Sequence, residues 1–218
     1  MKRVLIADDH AIVRRGLRDI IREDFPSAEI IDVADADELL KRVMKEEWDV
    51  VITDLSMPGR SGLEALQQIR QHKPTLPVLV LSIYPEEQYA IRVLKAGASG
   101  YLNKDMAPDE LVNAIHRVLS GRKYITPAVA EKLASTFDLH SDKSSHEHLS
   151  DREFEVLKMI AKGKSVSDIG NILNLSVTTI STYRARILTK MDMKTNAELI
   201  QYALQNKLVT LLSFIIVM

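Results

Sequence analysis

The chain has 218 residues, 46% of them hydrophobic, and carries 29 Lys and Arg against 30 Asp and Glu. That is enough apolar material for one large core or two of ordinary size. The absence of cysteine excludes a disulfide framework and a thiolate metal site, so any metal must sit on oxygen or imidazole.

In chain order, the opening "MKRVLIADD" reaches acids within its first residues and lacks the apolar length and cleavage signature of a signal peptide, so a cytoplasmic protein is expected. From residue 3 to 119, short β-branched runs ("RVLIA", "EIIDVA", "DVVITD", "PVLVLS", "SGYLN") alternate with amphipathic stretches of helical length. Successive rather than alternate residues are apolar, as in strands covered on both faces. The pattern predicts an α/β fold, a doubly wound five-stranded parallel sheet. Asp35 and Ser61 read as helix N-caps. Pro108 falls in a first helical turn, with Gly121 just past that helix's end.

The character changes after Gly121. "TPAVAEKLASTF" predicts one more helix, and "DLHSDKSSHEHLS" has almost nothing to bury and reads as a polar linker, with His140, His146 and His148 solvated rather than metal-bound. Then "SDRE", "SVSD" and "TNAE" each open an apolar-periodic segment in the manner of a capping box, so the remainder is expected to be a small all-α domain. Charge supports the division: residues 1–137 hold 19 Lys and Arg against 21 acids, residues 150–209 hold 9 against 6. A mildly basic helical module suits an anionic partner. The expected organisation is therefore 1–121, a helix and linker over 122–149, a helical domain over 150–209 and an apolar tail over 210–218. The tail, "LVTLLSFIIVM" with the residues before it, is about half of the roughly 20 residues a membrane helix needs. It is expected to pack on a surface instead.

In an open parallel sheet the usable crevice lies beyond the carboxyl ends of the strands. Collected there are Asp8 and Asp9, Asp54, Ser82 and Lys104. Acids so close repel unless a cation neutralises them, and a hard dication with oxygen ligands, Mg²⁺ above all, is the economical solution. Each residue alone has a plain structural reading, an Asp pair after a strand being a common helix N-cap. Their joint placement on one edge is what points to chemistry.

"IADDH", "VVITDLSMPGRSGLEAL", "VLVLS" and "KAGASGYLNKD" resemble the receiver domain of bacterial two-component response regulators. "LSDREFEVLKMIAKGKSVSDIGNILNLSVTTISTYRARILTKM" resembles the LuxR-type helix-turn-helix, so the chain is similar to the NarL/FixJ family. The resemblance implies that Asp54 accepts a phosphoryl group from a sensor histidine kinase. It implies Mg²⁺ on Asp9, Asp54 and the Ser56 carbonyl, with Asp8 acting through water. Lys104 would pair with a phosphoryl oxygen, and Ser82 with Tyr101 would form the switch, the ring entering space that the Ser82 hydroxyl vacates. Asp105 stands after Lys104 where many receivers have proline.

In the second domain, Asn174 and Ser176 are read as the left-handed end of one helix and the cap of the next. On the second, periodicity directs Val177, Ile180, Ile187 and Met191 inward. Thr178, Thr179, Ser181, Thr182, Tyr183 and Ala185 are candidate DNA-binding residues, flanked by Arg184, Arg186 and Lys190. The family often has Lys at the position of Ser181 and His at that of Tyr183, so bidentate guanine reading is unavailable from 181 and thymine methyls or water become more attractive contacts. The expected function is a phosphorylation-switched transcription regulator, not an enzyme, that binds promoter DNA as a homodimer when phosphorylated, with RNA polymerase a candidate contact and no membrane. The alternative is a Mg²⁺-dependent phosphohydrolase with Asp54 as nucleophile.

Overall fold

The five runs of consecutive apolar residues form five strands, β1 (Arg3–Ala7), β2 (Glu29–Val33), β3 (Val50–Asp54), β4 (Val78–Ser82) and β5 (Gly100–Asn103), in a wholly parallel sheet of order β2-β1-β3-β4-β5. The computed structural model describes residues 2–138, 146, 149–206 and 208–209. The chain divides into two compact units, 1–140 and 141–218.

Helices α1 (Ala11–Asp24), α2 (Ala36–Lys45), α3 (Gly62–His72), α4 (Glu86–Lys95), α5 (Ala107–Leu119) and α6 (Pro127–Asp138) complete the first unit, with a 3₁₀ turn at Lys104–Met106. Alternate strand residues serve opposite faces. Val4, Ile6, Ile52, Leu79 and Leu81 pack with Leu17 and Ile21 of α1 and with Leu111, Ile115 and Val118 of α5. Leu5, Val51 and Val80 point the other way and are equally buried. Each such aliphatic contributes about 1.5–3 kcal/mol by leaving water. Start signals act as the sequence implies: Asp35 accepts from the Glu38 amide, Ser61 and Glu64 form a reciprocal capping box, and Gly121 ends α5 at φ 78°.

The segment after Gly121 packs within the first unit. Tyr124 bridges to Gly100 on β5, and Thr126 Oγ1 donates to Glu86 on α4 at 2.9 Å. The parallel sheet thus continues into a helix packed against α4.

One close approach fixes the third strand's end. A Cβ on Gly62, the first residue of α3, would stand 1.9 Å from the Asp54 carbonyl oxygen. Gly62→Ala is therefore expected to lower the stability of the first unit by about 3 kcal/mol, because backbone must move. Gly16→Ala in α1, where a Cβ meets nothing within 4 Å, should instead gain about 0.5–1 kcal/mol. Thermal melting of the two variants checks this: equal melting temperatures would show that the contact behind Asp54 is soft.

The second unit contains α7 (Asp151–Ala161), α8 (Val166–Leu173), α9 (Val177–Lys190) and α10 (Asn196–Gln205). Ser150 and Ser165 make full capping boxes. Thr195 caps α10, but Glu198 reaches past it to the Lys194 amide, so the third signature is only half a box. Asn174 adopts φ 53° and Ser176 accepts from the Thr179 amide, so the turn between α8 and α9 forms as read. Phe154, Leu157, Ile169, Ile180, Ile187 and Leu199 fill the core. His146 was expected to be solvated; it bonds the Tyr202 hydroxyl through Nδ1 at 2.7 Å and stacks on Phe154. His140, His148 and residues 210–218 lie outside the described residues.

Candidate functional site

At the carboxyl edge of the sheet, β1 delivers Asp8 and Asp9, β3 ends on Asp54, and the turn after β5 begins with Lys104. Lys104 Nζ stands 2.7 Å from Asp8 Oδ2 and 2.9 Å from Asp54 Oδ2. Both carboxylates are nearly inaccessible, at 1% and 5% side-chain exposure. Burial raises the Asp54 carboxyl above the ordinary carboxylate range, and Asp8 adds to this against the opposing pull of Lys104 and the Ser56 amide. Burial also works against the Lys104 charge, but the two carboxylates outweigh it and hold the amine above the usual lysine value.

Neither aspartate caps α1. The N-cap is His10, which makes no side-chain capping bond, and Asp8 Oδ1 accepts only as far as the His10 amide, at 2.8 Å. The plain helix-cap reading of the pair therefore fails. Asp8 Oδ2 and Asp9 Oδ1 are buried, and among the described residues the first faces only Lys104 Nζ, at 2.7 Å, and the second only His10 Nδ1, at 2.8 Å. Asp8, Asp9, His10 and Asp54 offer ligand atoms within 4.8 Å of one another. This oxygen-rich, acidic set with undersatisfied oxygens fits a hard dication such as Mg²⁺. His10 joins the cluster without a role that its place in the motif foretells. Nor does the motif foretell Arg14, which donates to the Asp8 carbonyl at 2.6 Å while paired to Asp32 at 2.8 Å, and so fixes the strand end. An Arg one helical turn past an acidic strand end was the available signal.

Ser82 ends β4, fully buried, its Oγ accepting from the Tyr84 amide at 3.1 Å. Tyr101 on β5 donates its hydroxyl to the Tyr84 carbonyl at 2.8 Å, so both Ser82 and Tyr101 engage the backbone of Tyr84. Burial raises the Tyr101 phenol well above the usual range. The Tyr101 ring is 2% exposed. In this structure the ring lies inward, and Ser82 and Tyr101 meet through the backbone of Tyr84.

On α9, Thr178, Ser181, Thr182, Ala185, Arg186, Thr189 and Lys190 are exposed, and Thr179, Tyr183 and Arg184 are half-buried. Val177, expected in the core, is 50% exposed, because it opens the helix before the packed turn of Ile180 begins. Two flanking cations are held by protein groups: Arg184 Nε bonds Asn196 at 2.7 Å, and Lys190 Nζ pairs with the buried Glu153 at 2.6 Å. Arg186 has no hydrogen-bond or ion-pair partner among the described residues.

Comparison with known proteins gives two family matches: a response regulator receiver domain over residues 4–116, and bacterial regulatory proteins of the luxR family over residues 147–203. The oxygen regulatory protein NreC of Staphylococcus haemolyticus is 38% identical over 213 residues, covering 94% of this chain and 98% of its own. The response regulator UvrY of Escherichia coli is 37% identical over 210 residues, covering 95% and 96%. Among solved structures, RcsB of Salmonella enterica serovar Typhimurium, bound to promoter rprA in the presence of a phosphomimetic beryllofluoride, matches with a TM-score of 0.55 and 30% identity over 93% of this chain and 98% of its own.

Proposed function

Because the chain belongs to the NarL/FixJ family of DNA-binding response regulators, in which a receiver domain is joined to a LuxR-type helix-turn-helix, we propose that a sensor histidine kinase phosphorylates Asp54 and that this step governs promoter binding by the second unit. The observation that carries the reading is the single amine of Lys104 held between two buried carboxylates, Asp8 and Asp54. An Asp54 oxygen attacks phosphorus, the bond from phosphorus to the kinase histidine breaks, and the histidine leaves with the electron pair. Lys104 turns from its carboxylate partners to the equatorial oxygens of the transferring group.

Asp8, Asp9 and Asp54, with the carbonyl of Ser56, would hold Mg²⁺, which when bound neutralises charge on the phosphoryl oxygens. Ser82 would turn its hydroxyl from the Tyr84 amide to the new oxygens, which alters the Tyr84 loop that Tyr101 also bonds. Ile12, Ile83 and Met106, exposed on the elements that border the site, offer the kinase an apolar surface. Among the described residues no helix is long and apolar enough to cross a membrane, and the reading is of a cytoplasmic protein that meets RNA polymerase at its promoters. A phosphohydrolase is not favoured, since relatives matched over nearly their whole length are regulators.

Phosphorylation is expected to increase dimerisation and DNA affinity together, by setting two recognition helices on half-sites about one helical turn apart or a multiple of it. Genomic fragments captured by the full chain with beryllofluoride and Mg²⁺ should share such paired half-sites, and binding should fall steeply with salt. Equal affinity for those fragments with and without the phosphoryl mimic, at one salt concentration, removes the switch from this account.

A further inference from the structure

The outward face of α9 carries no charge. Val177, Thr178, Ser181, Thr182, Ala185 and Thr189 fall within an arc of about 140° at roughly 100° per residue, opposite the buried Ile180 and Ile187. Two of the hydroxyls on this face are used up inside the helix. Thr182 Oγ1 donates to the Thr178 carbonyl at 3.0 Å, and Thr189 Oγ1 to the Ala185 carbonyl at 3.1 Å. Each threonine has one hydroxyl proton, so the side chain has none left for a base edge, and the γ-methyl on its other branch is what remains. Val177 and Ala185 add methyls with no polar alternative. Of the cations that flank this face, Arg184 is engaged by Asn196 and Lys190 by Glu153, and Arg186 is exposed but falls about 40° outside the arc.

We propose that α9 selects its DNA chiefly by the C5 methyl group of thymine, with Val177, Thr182 and Ala185 forming the apolar surface that receives it. The major groove presents that methyl only at A·T pairs. Guanine offers no methyl group, and against the apolar groups of Val177, Thr182 and Ala185 it loses its water and gains no partner. Thr178 and Ser181, whose hydroxyls have no partner among the described residues, supply the remaining polar contacts. This assignment rests on α9 being the helix that enters the groove, and it names what that helix recognises.

The test uses the full chain with beryllofluoride and Mg²⁺, and a duplex it selects from genomic DNA. The duplex is made once with thymine and once with deoxyuridine, which lacks only the C5 methyl. The uracil duplex should bind about tenfold more weakly, and each lost methyl contact should account for about fourfold. Thr182→Ser deletes the γ-methyl and keeps the back-bonded hydroxyl, so it should shrink the thymine-to-uracil ratio by about that factor. Val177→Ala should act likewise. Arg186→Ala should weaken binding to both duplexes alike and leave the ratio intact, as expected of a phosphate contact. Equal affinity of the wild-type chain for the two duplexes overturns the inference, as does a ratio unchanged in both methyl-deleting variants. If Arg186→Ala and both other variants bind both duplexes as the wild type does, α9 does not enter the groove and the underlying reading falls too.

Discussion

Asp54→Asn is expected to take up no phosphoryl group from acetyl phosphate and Mg²⁺, under conditions that label the wild-type chain once. The substitution keeps the shape of the side chain, but an amide oxygen is too weak a nucleophile, and the rate should fall by more than about 10³-fold. Folding should survive, because Lys104 retains Asp8 at 2.7 Å and one of two mutually repelling acids has gone. The pH profile of the wild type is a second readout. Only the carboxylate form of Asp54 attacks, and burial raises its pKa, so labelling should fail on acidification at a higher pH than for an ordinary carboxylate. Intact-mass measurement checks both, and stoichiometric labelling of the variant at another residue would sink the assignment.

Lys104→Ala should produce a large loss of stability and a clear dependence on Mg²⁺. Removing the amine leaves two buried carboxylates facing each other, and losing one member of a buried ion pair costs about 3 kcal/mol. For a unit of this size the melting temperature should drop on the order of 10 °C. A dication should recover much of the loss, so the variant should gain more from added Mg²⁺ than the wild type, while its phosphoryl uptake stays low for want of a group on the equatorial oxygens. Because the folded state raises the Lys104 pKa, its stabilising contribution is complete below the ordinary lysine value and is lost as pH rises through the raised one. The two chains should therefore converge in stability only at strongly alkaline pH. Identical melting curves for the two chains at neutral pH in a chelator would show that Lys104 does not hold the acids together.

What the sequence revealed was governed by periodicity and by placement along strands. Both faces of the sheet are covered, so unbroken apolar runs marked all five strands, and the caps at Asp35, Ser61, Ser150 and Ser165 marked helix starts. Asp8, Asp54 and Lys104 converge because they stand at the carboxyl ends of strands of one parallel sheet, β1 beside β3 and β5 one strand beyond, a consequence of topology readable in advance. What was not legible depended on side-chain direction. Val177 fits the apolar period of α9 but precedes the first packed turn, and it lies exposed. Tyr101, an aromatic on an edge strand, could equally have stood half in water; its burial depends on a carbonyl of the Tyr84 loop that no periodicity encodes. Arg184 and Lys190 look like groove-facing cations in sequence, and their partners Asn196 and Glu153 come from other helices.

The absent side chain of Gly62 gives the proposed phosphoacceptor site a stiff wall and a yielding one. Behind Asp54 the start of α3 is packed too tightly to recoil. On the far side stand Ser82, which accepts from the Tyr84 amide, and Tyr101, which donates to the Tyr84 carbonyl. A group added to Asp54 would therefore find its give on the side of the loop after β4 and of α4, against which α6 is packed. Mechanical asymmetry, rather than any strength of the new bond, would give the signal its heading, toward the helix from which the chain runs on to its DNA-binding half.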